Sequence, residues 1–210
     1  MKKPDPAAAQ RAIEAFLEAV GAPVREDPEL AGTGARVTQA FLEDFLSGYA
    51  MDPGLVFADA TASNSPAMVA LIDLPATTMC PHHLLPASGL VHVGYWPGDK
   101  VAGFGAIAAL VDGYTRRLAL QEDIARNVAD ALVAHLGARA AGCLVDLTPT
   151  CATVRGERRH GMRALTSAFA GEAVNDAALR SELLSTLAVA RSSLGASTGA
   201  SAPRLGERAG

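Results

Sequence analysis

Aromatic residues are scarce, with one Trp, three Tyr and six Phe in 210 residues. Ala, Val and Leu must therefore fill whatever core the chain builds. A basic excess is also missing: 18 Lys and Arg against 22 Asp and Glu leave a net charge of −4. That argues against a nucleic-acid surface, though not against a locally basic pocket. No apolar run approaches the roughly 18–20 residues of a membrane helix. The opening M-K-K-P-D-P has two lysines but no apolar stretch behind it, so no signal peptide is expected and a cytoplasmic location is. Cysteine is rare too, at 80, 143 and 151 only. Three thiols make a poor disulfide framework, and in a cytoplasmic chain reduced thiols or metal ligands are the expectation.

Half the residues are apolar and 19% are charged, as in an ordinary globular protein. Residues 6–20 read as a helix with Ile13, Phe16, Leu17 and Val20 on one face, ended by Gly21 and Pro23. Residues 33–47 read as a second, with Thr33 as N-cap. Residues 49–66 read as loop. M-V-A-L-I-D-L (68–74) and G-L-V-H-V-G-Y-W (89–96) read as strands, and P-G-D-K predicts a hairpin from the latter into 101–104. Helices follow at 106–117 and 121–136, with Gly137 as C-cap. Residues 143–148 and 151–155 are expected as two strands or one bent strand and 163–169 as another, then a helix over 176–191. The pattern is α+β: an N-terminal helical region (1–66), an antiparallel sheet interrupted by two consecutive helices (67–191), and a low-complexity, disordered tail (192–210).

The chemistry concentrates in T-T-M-C-P-H-H-L-L-P, residues 77–86. Zinc takes Cys sulfur and His nitrogen, and a catalytic zinc commonly has three protein ligands with a fourth position open. Cys80 and His83 offer two ligands from one turn, and a third would come from Cys143 or Cys151. By itself C-x-x-H is weak, and the bland alternative is a buried cysteine with two hydrogen-bonded histidines. Glu122 has a bland alternative as well, a solvated carboxylate favoured at a helix start by the macrodipole. Cys143 reads as a buried strand residue if it is not a ligand, and His92 and His135 as structural or surface residues. His160 sits in the charged stretch R-G-E-R-R-H, a solvated run or a pocket mouth.

M-C-P-H-H-L-L-P, G-L-V-H-V-G-Y-W-P, Q-E at 121–122, L-G-A-R at 136–139, C-A-T-V-R-G at 151–156 and T-S at 166–167 together resemble the GTP cyclohydrolase I family in order and spacing. With the second helix, the resemblance spans roughly residues 10–190. It implies a T-fold (tunnelling-fold) subunit and a ring-shaped homo-oligomer, usually a decamer. It implies zinc on Cys80, His83 and Cys151, and His82 as a catalytic proton carrier. It also implies a purine gripped by Glu122 with help from Gln121, and phosphates met by Arg36 and Arg155. The partner is thus a small purine, with no nucleic acid and no membrane.

Two departures stand out. The family's phosphate-gripping stretch reads G-L-S-K, then an Arg three residues on. Here it is G-F-G-A-I-A-A (103–109), with Gly105, Ala106 and Ala109 where Ser, Lys and Arg stand. Each hydrogen bond to a charged group contributes roughly 1.5–3 kcal/mol. Losing two costs about 3–6 kcal/mol, on the order of 10²–10⁴ in affinity. The second departure is Pro149, where the family carries a catalytic histidine. A positioned acid–base group contributes roughly 10²–10⁴-fold, and proline moves no proton. Three readings compete. One is a zinc hydrolase opening, at C8, the imidazole ring of a guanine-type purine that lacks a triphosphate. The second is a genuine GTP cyclohydrolase I making 7,8-dihydroneopterin triphosphate for folate and pterin synthesis. The third is a catalytically silent purine- or pterin-binding paralogue. The first is preferred, because three losses fall in one pocket.

Overall fold

The computed structural model describes residues 3–197, with side chains described for residues 3–190. Helix α1 (Pro6–Ala19) starts where Pro6 fixes its backbone and Asp5 accepts from the Ala8 amide at 3.0 Å. Helix α2 (Thr33–Ala40) starts from Gly32, whose left-handed backbone (φ 75°) breaks the preceding turn. The N-cap is therefore Gly32 and not Thr33, whose hydroxyl instead accepts from Arg36 at 3.0 Å. At Phe41–Phe45 the helix widens into a π-type turn, with the two Phe rings edge to face at 5.6 Å.

The expected loop over 49–66 is partly ordered, with a short helix α3 (Pro53–Val56) capped by Asp52 and a short strand β1 (Thr61–Ala62). Strands β2 (Val69–Met79) and β3 (Pro86–Trp96) follow, each longer than its apolar run predicts. The predicted hairpin into 101–104 does not form. Strand β4 (Lys100–Val101) pairs with β1 instead, Thr61 opposite Val101. Strand β1 supplies the partner edge, and Ala102 donates its amide to the Tyr95 hydroxyl at 3.1 Å while Gly103 already caps helix α4 (Phe104–Thr115). Helix α5 (Gln121–Ala131) ends in a π-type turn (Leu132–Leu136) closed by left-handed Gly137. Strand β5 (Ala140–Pro149) then runs into one helical turn, α6 (Thr150–Thr153), where a strand over 151–155 was expected. The Val154 amide donates to the Thr150 carbonyl at 3.0 Å and closes that turn. Strand β6 (Ala164–Gly171) and helix α7 (Ala177–Ser197) complete the chain. Helix α7 outruns its expected end at 191, and the rest of the expected tail, 198–210, lies outside the described residues.

The sheet is antiparallel in the order β2-β3-β5-β6. Helices α4 and α5 lie on one face, where Val91, Val93, Val145 and Leu147 pack against Ile107, Leu110, Ile124 and Val128. This β-β-α-α-β-β unit with two consecutive helices on one face is the T-fold arrangement. On the other face Leu183 of α7 seats against Gly94 and Gly142, which are paired across β3 and β5. A β-carbon at either glycine would come within 2.4 or 2.6 Å of the Leu183 methyls. Strand β6 keeps one unpaired edge among the described residues, and so does β2 except at Met79, whose amide donates to the Arg117 carbonyl at 3.3 Å and whose carbonyl accepts from the Ala119 amide at 3.2 Å.

Candidate active site

The turn between β2 and β3 builds the first half of the site. The Leu84 amide donates to the Cys80 carbonyl and the Cys80 amide to the Leu85 carbonyl, both at 2.9 Å. Leu84 is left-handed at φ 51°, uncommon for a residue with a branched side chain. The tight reversal brings His83 back over Cys80, with Nδ1 3.7 Å from Sγ. The second half comes from α6. The Thr150 hydroxyl donates to the Pro86 carbonyl, pinning this helical turn to the start of β3. Cys151 is the next residue.

The donor atoms of Cys80, His83 and Cys151 all lie within 4.8 Å of one another. Burial, and then the neighbouring Cys80, push the Cys151 thiol above the usual thiol range, while Arg155 opposes the shift. Tetrahedral zinc with bonds of about 2.3 Å to sulfur and about 2.0 Å to nitrogen spaces adjacent donors about 3.5 Å apart. The 3.7 Å separation fits that spacing, and no pair of the three donors lies farther apart than 4.8 Å. Two thiols and an imidazole around one point would leave a zinc ion's fourth position for a ligand. His82 is exposed beside them, its ring centroid 6.3 Å from that of His83.

Next to Cys80 and Cys151 opens a small cleft walled by Thr78, Ala87, Leu120, Gln121, Leu147 and Pro149. Pro149 thus stands in the cleft wall, two residues from a metal-type donor. Gln121 opens helix α5, and its side-chain amide donates to the carbonyls of Val145 (2.8 Å) and Ala164 (2.7 Å). Both amide hydrogens are therefore committed to strands β5 and β6. This fastens the first turn of α5 to the sheet and leaves only Oε1 for a ligand. Glu122, the next residue, is exposed.

The other expected substrate contacts do not gather here within one chain. Arg155 is exposed just past α6. Arg36 bonds its own neighbourhood, the carbonyls of Ala31 (2.8 Å) and Glu29 (3.3 Å), and lines no part of the cleft. Ala106 and Ala109 lie in the first two turns of α4, away from the cleft wall, and no Lys or Arg occurs anywhere in Phe104–Thr115.

The residues read as structural behave so. Cys143 is fully buried in β5, and burial drives its thiol far above the ordinary range. His92 is buried, with Nδ1 accepting from the Asp73 amide at 3.1 Å where β2 bulges between Leu71 and Leu74. Sequence reasoning missed Thr150, which holds Cys151 in place. It also missed the bidentate pair of Arg163 with buried Asp146. The one available signal was an aspartate inside the apolar run C-L-V-D-L-T.

Comparison with known proteins bears on the whole of this region. The family model described as GTP cyclohydrolase I matches residues 9–188. GTP cyclohydrolase 1 of Halalkalibacterium halodurans is 39% identical over 191 residues, covering 89% of this chain and 99% of the relative. The protein of the same name from Chromobacterium violaceum is 37% identical over 181 residues, covering 86% and 87%. That from Mycobacteroides abscessus is 38% identical over 185 residues, covering 86% and 88%. Among solved structures, the apo archaeosine synthase QueF-Like overlays with a TM-score of 0.43 at 22% identity, over 51% of this chain and 97% of the other.

Proposed function

This chain belongs to the GTP cyclohydrolase I family, and from that premise we propose that it hydrolyses the imidazole ring of a guanine-type purine at C8, and that this purine lacks a triphosphate. The observation that carries the reading is the convergence of Cys80, His83 and Cys151 beside a cleft, in a chain whose helix α4 carries no cation. Zinc on those three donors would supply Lewis-acid polarisation and an activated water for attack at C8.

The protein's own groups do the rest. Glu122 accepts hydrogen bonds from the ring N–H and exocyclic amine of the purine, a charge-assisted pair. Gln121 keeps Glu122 in register by tying the start of α5 to β5 and β6. As water oxygen adds to C8, one C8–N bond breaks, and His82 delivers the proton that its nitrogen takes up. No imidazole stands at Pro149 for later proton transfers, which supports a reaction that stops after ring opening. Arg155 follows Cys151 by four residues, and its charge acts on that thiol. The open edges of β2 and β6 support assembly into a ring of like subunits, which would bring Arg36 and the start of α4 to a neighbour's cleft. The three unpaired thiols suit a reducing, cytoplasmic setting.

A second reading has its own support. The relatives named GTP cyclohydrolase 1 match along nearly their whole length, which favours GTP as substrate and a dihydropterin triphosphate as product. One experiment separates the two: incubation of the zinc-loaded protein with guanine, guanosine, its monophosphate and GTP, followed by ultraviolet spectra. Loss of the purine spectrum with a triphosphate-free member and not with GTP supports the first reading. A pterin spectrum from GTP supports the second.

A further inference from the structure

Two arginines follow helix α4 in sequence, and their surroundings differ. Arg116 is exposed and pairs with Asp112 at 3.3 Å. Arg117 is half-buried. Its Nε and Nη2 donate to the Gly48 carbonyl at 3.2 and 2.9 Å, and Nε also donates to the Gly113 carbonyl in the last turn of α4. A cation there suits the negative end of the helix. The guanidinium carbon lies 4.8 Å from the ring centre of Tyr114 and 5.5 Å from that of Tyr49, within cation–π range of both. The Gly48 amide in turn donates to the Arg116 carbonyl at 3.0 Å. The backbones approach so closely that a β-carbon on Gly48 would come within 2.5 Å of the Gly113 oxygen. Arg117 thus clasps the N-terminal helical region to the end of α4.

The same residue holds the end of β2 through its backbone. Its carbonyl accepts from the Thr78 hydroxyl at 3.1 Å and from the Met79 amide at 3.3 Å, and the Met79 carbonyl accepts from the Ala119 amide at 3.2 Å. Residues 117–119 so form a short parallel bridge beside Met79, and Thr78 and Met79 are both buried there. Cys80 is the next residue on one side of the bridge. Gln121 lies two residues past Ala119 on the other, and both stand in the cleft wall. Arg117 itself walls no part of that cleft. We infer that Arg117 is a positioning residue whose guanidinium, anchored on Gly48 and Gly113, fixes the spacing between the Cys80 donor and the start of α5. The inference deepens the proposed function and rests on it only for a metal at Cys80. Arginine suits the task because its planar fork of donors reaches two carbonyls while its charge meets two aromatic rings. Lysine could reach one carbonyl as a point charge and would lose the fork.

The test loads the full-length protein with cobalt(II) in place of zinc. It reads the thiolate-to-cobalt absorption, the cobalt affinity, and the deuterium exchange of the Met79 and Ala119 amides, with ring opening followed separately. Arg117→Gln should bind cobalt about tenfold more weakly, in line with the loss of one charge-assisted bond, and with a shifted absorption band. Both amides should exchange at least about tenfold faster. Arg117→Lys should recover part of the affinity. Arg116→Gln should match the wild type in all three readouts. Tyr49→Leu removes one ring and should weaken cobalt binding by about two- to fivefold. A lower melting temperature in Arg117→Gln with wild-type cobalt affinity, absorption and amide exchange would make Arg117 an anchor of the fold alone and overturn the inference. Equal effects from Arg116→Gln overturn it too. If Arg117→Gln does not fold, wild-type cobalt binding by Tyr49→Leu overturns it in the same way. The expected cobalt and exchange effects without ring opening of any purine keep the inference and remove the reaction. A wild type with no thiolate-to-cobalt absorption removes the metal site and the inference with it.

Discussion

The turn at 80–85 and the start of α4 at 103–109 are short segments of similar length, each entered from the end of a strand and each partly at the surface, although Ile107 of the second is buried. They have opposite chemistry. The first is closed by two 2.9 Å backbone bonds around a left-handed Leu84 and presents a sulfur and two imidazoles. The second presents Gly105, Ala106 and Ala109, with Phe104 exposed at its head and no charged group before Asp112. Both are expected to serve one pocket, the first with reactivity and the second with affinity for substrate charge. Their difference separates those two properties. The metal-type donors stand together here while cations at the start of α4 and an imidazole at 149 are both absent.

The sharpest way to break the comparison is to damage the first segment's chemistry. Replacing Cys151 with Ala should leave too few donors to hold the metal. Zinc content by elemental analysis should fall below about one-tenth per chain, and turnover with it, since structural and catalytic zinc sites need three or four protein ligands. Full zinc retention would remove Cys151 from the donor set. His82→Ala should keep the zinc and lower kcat by roughly 10²–10⁴-fold. No second imidazole is present at 149 to compensate. A loss under tenfold would assign the proton transfer elsewhere. Restoring cations to the second segment sharpens the comparison from the other side. Ala106→Lys with Ala109→Arg should tighten GTP binding by about tenfold or more and leave guanosine unaffected. Equal gains for both ligands would mean that the helix start does not meet phosphate. The smallest effect expected is at the anchor: Thr150→Val removes one hydroxyl bond to Pro86 and should weaken zinc binding by about fivefold, near 1 kcal/mol.

Much of this was legible in the sequence because the local signals agree with the tertiary result. Helix α5 carries Ile124 and Val128 toward the sheet with Gly137 behind it, and β3 alternates Val91, Val93 and Tyr95 toward the helices. Cys80 and His83 share one turn, so their approach needed no long-range information. The misses have a common physical cause, in that contacts distant in sequence overrode local preference. C-A-T-V-R is rich in β-branched residues, yet a bond from Thr150 to Pro86 helps turn it into α6. Lys100–Val101 could have paired with β3, but β1 offered an edge that no pattern over 49–66 announces. The committed amide of Gln121 depends on two carbonyls that lie 24 and 43 residues away. The seat of Leu183 required Gly94 and Gly142 to align across two strands.

The central claim is that the metal donors and His82 open a guanine-type purine that carries no triphosphate. The most direct test is the ratio of kcat/KM for loss of the purine spectrum, GTP against its triphosphate-free counterparts, on one preparation of zinc-loaded protein. The account predicts a ratio well below one, with GTP opened slowly or not at all. Conversion of GTP to a dihydropterin triphosphate at an ordinary enzymatic rate, about 0.1 per second or faster against a median near 10 per second, would contradict it.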